Sequence, residues 1–213
     1  MYYEKLHISQ IFSNLECSIF KLYDLVMCNL YTKFVNFLEI CKKFSEDLVT
    51  ESGNIRRPCP VPRFSDLEVI ALSMVAEAEE IDSDNWLFEA KLKECRSSIP
   101  NLFSRRQFND RRKSVSGLCE QIRSRIANRI DGGEDYFCIK NWKPTFIPFA
   151  KARKRVETLF SQLTDQFLVI RNYAKETCGL FARIVGKVSA TTALQYIYYI
   201  NSKPIGRIKY ALI

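Results

Sequence analysis

In RFSDLEVIALSMVAEAEE, residues 63–80, apolar positions recur at helical spacing. Leu67, Ile70, Ala71, Met74, Val75 and Ala78 form one stripe, three or four residues apart, and that period predicts an amphipathic helix. Its start is also encoded. Ser65 is an N-cap residue and Glu68, three positions on, is its capping-box partner. The expected class is mainly α.

Helical patterning extends to both sides. Residues 13–48 contain neither Pro nor Gly, and Leu15, Ile19, Leu22, Val26, Leu30, Phe34, Phe37, Leu38 and Cys41 recur at helical spacing. One long helix or two joined helices are expected. Residues 50–62, TESGNIRRPCPVP, carry three prolines and a glycine and read as a linker. A short helix is expected around Trp86 to Cys95, with Trp86 and Trp142 as core anchors.

Residues 66–94 are rich in acids, whereas residues 96–129 hold nine Arg or Lys against Asp110 and Glu120. Within the basic stretch, Ser104 caps a second helix with Gln107 as partner. Phe108, Val115, Leu118, Ile122, Ile126 and Ile130 supply its apolar face; Gly117 weakens the helix without having to break it. SRRQFNDRRK, residues 104–113, begins this helix with residue types that read bases and grip phosphates. Arg105, Arg106, Gln107, Asn109, Arg111, Arg112 and Lys113 are the candidate DNA contacts; the plainer reading is a solvated basic face.

DGG at residues 131–133 is a turn, and DYFCI, residues 135–139, has the β-formers of a short strand. Helical periodicity resumes at Ala150 and runs to about Phe167, and FLVIRN, residues 167–172, fits either type. Thr177 to Ile200 reads as a long helix with Leu180, Phe181, Ile184, Val188, Thr192 and Tyr196 on one face. Tyr196, Tyr198 and Tyr199 sit at a spacing that suits packing better than base stacking.

The chain of 213 residues can bury a sizeable core, and its 47% hydrophobic and 26% charged composition is globular. A net charge of +8 suggests a polyanionic partner, nucleic acid or an anionic membrane. The eight cysteines include no CxxC pair, and His7 is the single histidine, so a zinc set of the usual kind is not formed. Reduced thiols in a cytosolic protein are expected. Residues 18–44 are apolar but interrupted by Lys21, Asp24, Lys33, Glu39 and Lys42, too often for a membrane span.

KARKRVETLFSQL, residues 151–163, places one acid after four bases: Lys151, Arg153, Lys154 and Arg155 precede Glu157. Glu157 can pair with Arg153 at i,i+4, or it can hold a divalent metal beside a nucleic-acid backbone whose phosphates the basic neighbours attract.

KARKRVETLFSQLTDQFLVIRNYAK, with GLFARIVGKVSATTALQYIYYIN and KPIGRIKYALI after it, resembles the C-terminal end of bacterial insertion-sequence transposases of the DDE class, most nearly the family numbered nine-eighty-two. PRFSDLEVIALSMVAEAEEIDSDNWLF, IPNLFSRRQFNDRRK and EDYFCI resemble its N-terminal half. The resemblance implies a bacterial, cytoplasmic, nucleoid-associated protein acting on the repeats at an element's ends. In the intact family, Asp, Asp and Glu on a ribonuclease-H-like sheet hold Mg²⁺ for strand cleavage and transfer, and Glu157 matches the glutamate.

The two aspartates have no match. Lys140 stands where the first is expected, and residues 141–156 contain no Asp. Five strands and two helices of ordinary length need about fifty residues before loops, far more than that interval supplies. Asp135 is five positions away, on the opposite face of a strand. The resemblance therefore implies an internally deleted chain: an N-terminal helical segment at 1–50, a linker at 51–64, a helical DNA-binding region at 65–133, and a truncated ribonuclease-H-like α/β remnant at 134–213. Its expected partners are DNA, a second copy or an intact transposase, with no membrane and no bound Mg²⁺ here. Whether it is an enzyme is open; the alternatives are a non-catalytic DNA-binding protein, an inhibitor of intact transposase, or a decayed product.

Overall fold

The computed structural model describes residues 30–58, 60–99, 101–132, 146–170, 174–206 and 208. These residues are mainly helical, and among them there is no strand. The expected strand at 135–139, together with Lys140 and Trp142, lies outside them, as does the first part of the N-terminal helical pattern. The helices are α1 (Leu30–Lys43), α2 (Asp66–Ala78), a composite α3 (residues 84–95), α4 (Arg105–Ser114), α5 (Ser116–Ile130), α6 (Phe146–Asp165) and α7 (Thr177–Ile200).

Both capping boxes form. The Ser65 backbone N–H donates to Glu68 Oε2 at 2.5 Å, and the Glu68 N–H donates to Ser65 Oγ at 3.2 Å. At α4, Ser104 N–H donates to Gln107 Oε1 at 3.1 Å, with the return bond from Gln107 N–H at 3.4 Å. Two donors otherwise left open at each helix start are satisfied in this way. α4 and α5 are separate helices. The break falls at Val115 (φ −96°, ψ 5°), before Gly117 in the first turn of α5. Val115 itself is buried, so the corner turns around an apolar pivot.

α2 is the central element. It buries not a stripe but residues all round, Val69, Leu72, Ser73 and Ala76 as well as the expected Leu67, Ile70 and Met74. α1 covers one side, α7 another, and α4 a third. A helix so enclosed is apolar all round because every face meets protein. α7 comes close because Gly186 faces α2. A Cβ there would lie 3.3 Å from Ser73 Oγ, so the Ser73 side chain would have to give way by a few tenths of an ångström. Phe34, Phe64, Phe103, Phe108 and Phe88 form a connected set of rings beside α2 and α4. A single hydrophobic core takes residues from α1, α2, α3, α4, α5 and α7.

Residues 51–64 wrap around Asp66. The buried Asn54 accepts from Asp66 N–H at 3.1 Å and donates to Pro62 O at 3.4 Å. Asp66 is fully buried and accepts from Ile55 N–H at 2.9 Å and from Arg57 and Arg111. Gly53 turns the chain at φ 74°, a conformation suited to glycine.

Two expectations of burial are corrected. Trp86 is 56% exposed, because the chain switches to a π-wound turn at Leu87–Lys91 that brings Leu87 inward instead. Leu180, Phe181 and Ile184 are exposed, although their spacing made them a core face of α7. α7 is rotated by charge. Lys187 donates to Glu77 Oε2 at 2.5 Å, both groups being buried, and Arg183 donates to Asp84 Oδ2 at 3.0 Å. Those partners on and near α2 turn Arg183, Gly186, Lys187 and Ala190 to the core and leave Leu180, Phe181 and Ile184 outside, while Thr192 and Tyr196 of the same face are buried. Of residues 167–172, open between two types, the described 167–170 form a turn that leads from α6 and puts Phe167 O within 2.5 Å of Lys187 Nζ.

Candidate nucleic-acid interface

α4 carries seven candidate contacts, and the fold sorts them by partner. Arg112 is buried. Its guanidinium donates to both oxygens of Asp84 at 3.3 and 3.2 Å and to Asn109 Oδ1 at 2.8 Å. Burial pulls its pKa below the usual arginine value, and Asp84 opposes the effect. Arg111 donates to Phe64 O and Asp66 Oδ1, and its guanidinium lies 5.4 Å from the Phe103 ring centre. These two arginines are therefore corrected from surface cations to core-facing ones. The acidic stretch at 66–94 supplies Asp66 and Asp84, so the partition of charge along the sequence becomes internal ion pairing in the fold.

The polar residues of α4 are also engaged. Gln107 Oε1 is taken by the cap, and Asn109 donates to Arg105 O at 3.3 Å. Lys113 pairs with Glu176 at 2.7 Å, just before α7. Hydrogen bonding between them raises the lysine's pKa and lowers the glutamate's. Arg105 is exposed and donates to Asn85 Oδ1 at 3.0 Å. Arg106 is exposed and forms no ion pair among the described residues. Arg105 and Arg106 are thus the cations that α4 offers to solvent.

One cation gave no signal in the basic runs of the sequence. Arg63, two residues before the α2 cap, lies at the surface, has no ion pair among the described residues, and borders a cavity with Gln107, Asp110 and Arg111. It is a lone arginine in PVPRF, between a proline pair and a capping box.

α6 presents the second cluster. Arg153, Lys154 and Arg155 are exposed on its surface; Lys151 lies on the same helix, and its side chain is outside the described residues. Arg153 Nε donates to Glu157 Oε1 at 2.9 Å, an i,i+4 pair with both side chains well exposed. Such pairs contribute a few tenths of a kcal/mol. Lys154 and Arg155 have no ion pair among the described residues.

Among the described residues, the surroundings of Glu157 hold no metal-ligand group. Its carboxylate accepts from a guanidinium, and among the described residues no three His, Cys, Asp or Glu side chains come together. A two-ion site needs ligands on both ions about 3.5–4 Å apart, so the described residues do not fit one. Among them, Cys41, Cys95 and Cys119 are free and buried and Cys178 is free and exposed. No described helix is long and apolar enough to cross a membrane. Comparison with protein-family models, curated proteins and solved structures gives no match.

Proposed function

We propose that the chain is an internally deleted transposase-family protein of a bacterial insertion sequence that binds DNA and does not cut it. The observation that carries the second half is in the sequence. Lys140 occupies the expected place of the first catalytic aspartate, and no aspartate separates it from Glu157. One carboxylate cannot place two metal ions. Within this reading α1 to α5 are the DNA-binding half, and α6 and α7 are what remains of a ribonuclease-H-like domain.

The exposed cations support the first half. Arg105 and Arg106 on α4 and Arg153, Lys154 and Arg155 on α6 leave positive charge at the surface after the internal pairs are made. Charge of this kind acts on phosphates and releases counterions, whatever the base sequence. A DNA-binding chain without cleavage would occupy element ends and interfere with an intact transposase there.

The test is incubation of the purified protein with element-end DNA in Mg²⁺ or Mn²⁺. The expected result is a salt-sensitive complex and uncut strands. Metal-dependent strand cleavage that disappears in Glu157→Ala would overturn the reading.

A further inference from the structure

A cavity of about 350 Å³ opens between residues 62–64 and the first turns of α4, within the size range of small-ligand sites. Phe103 forms an aromatic wall. Its ring is half-buried, braced edge-on by Phe64 at 5.0 Å and covered by the Arg111 guanidinium. Arg111, tied to Asp66 and Phe64 O, lines the cavity as well, so the wall is the Phe103 ring together with that guanidinium. The other lining groups are polar. Gln107 has its oxygen occupied by the Ser104 cap, which leaves its amide hydrogens to give. Asn101 is exposed, with its backbone at φ 62°. Asp110 and Arg63 lie at the surface without ion pairs among the described residues.

We infer that this cavity receives an unpaired adenine base of a bound DNA strand, with Arg63 and Arg106 on the flanking phosphates. The inference rests on the DNA-binding reading above. A flat ring suits the Phe103 wall, since stacking on an aromatic side chain is available to any base. The Asn101 amide matches the donor and acceptor pattern of adenine, and Gln107 adds a donor. Asp110 discriminates against a simple anion: a carboxylate in the lining repels a lone phosphate but accepts from an exocyclic amino group. Arg106 stands one helical turn before Asp110, on the same face of α4. Inside a duplex the base edge and faces are covered, so the base must be unpaired or extruded to enter.

The test compares two duplexes of one sequence, one fully paired and one with a single adenine opposite an abasic position. Affinity of the full chain for each is measured by fluorescence anisotropy. The wild type is expected to favour the unpaired adenine by about tenfold. Asn101→Gly, which accepts the positive φ, is expected to remove most of that preference and leave the paired duplex bound as before; Phe103→Leu removes the stacking wall. Equal wild-type affinity for the two duplexes overturns the pocket and leaves DNA binding standing. Failure to bind either duplex overturns the DNA-binding reading. A parallel titration with deoxyadenosine monophosphate, followed by backbone amide shifts, then decides the pocket alone. Shifts centred on Asn101 and Gln107 support it, and none overturns it.

Discussion

α2 and α6 both carry apolar residues at helical spacing, yet α2 buries eleven of its thirteen residues, while from Arg153 to Asp165 α6 buries none. α2 is enclosed by α1, α4 and α7, whereas among the described residues α6 takes part in none of the closest helix pairings. Leu159 and Leu163 reach a shallow cavity of about 240 Å³ with Val188 of α7, but Val156 and Phe160 are 50% and 64% exposed. A stripe therefore states what a helix is able to bury, and the neighbours decide what it does bury. The charges differ in the same way. Those that face α2 are buried pairs made across the fold, and those of α6 are a local pair in solvent.

The largest expected effect tests that difference in charge. Lys187→Ala leaves Glu77 buried and unpaired, so urea unfolding should show a loss of about 3–5 kcal/mol, while the double change Glu77→Leu with Lys187→Met recovers most of it. Glu157→Ala on α6 should shift stability by less than about 0.5 kcal/mol. A mild Lys187→Ala would mean that α7 is not docked through this pair.

Packing comes next. Leu72, fully buried on α2, should lose about 2–5 kcal/mol on change to Ala. Phe160→Ala should stay within about 0.5 kcal/mol, the usual range for a surface site. Comparable losses at the two positions would show that α6 is covered in solution.

A pH dependence follows from the thiols. Burial raises the pKa of both Cys41 and Cys119, that of Cys119 to about 11. A folded-state pKa above the unfolded value means the contribution is complete below about pH 9 and is lost as pH rises through about 11. Thermal stability should therefore fall from about pH 9 upward, and replacing both cysteines with Ala should flatten that decline. A wild-type stability that is constant to about pH 11 would contradict the burial of the two thiols. At acid pH the effect is smaller. Asp47, held down to about 2 by its hydrogen bond from Arg125, loses its contribution as pH falls from about 4 toward 2, and its exposure keeps that contribution small.

Much of the scaffold was legible in the sequence. Both capping boxes announced their helices, because Ser with Glu or Gln three positions later leaves few other uses for those side chains. The span of α7, Thr177 to Ile200, followed from continuous periodicity. Its orientation did not, because Lys187 and Arg183 find acids more than ninety residues away in sequence, and periodicity carries no long-range partner. The candidate interface was legible only in outline. SRRQFNDRRK reads as uniformly basic, but Arg111 and Arg112 lie on the turn of α4 that faces Asp66 and Asp84. Arg63 stood outside any basic run and gave no comparable signal.

The most direct measurement is the salt dependence of element-end DNA binding by wild type and by a variant with Arg105, Arg106, Lys154 and Arg155 all changed to Ala. These four side chains are exposed, so the variant should fold as wild type does. The account predicts weaker binding, and a log–log salt slope reduced by about 0.9 for each phosphate the variant no longer neutralises. Wild-type affinity with an unchanged slope would contradict it and leave these cations as a solvated surface.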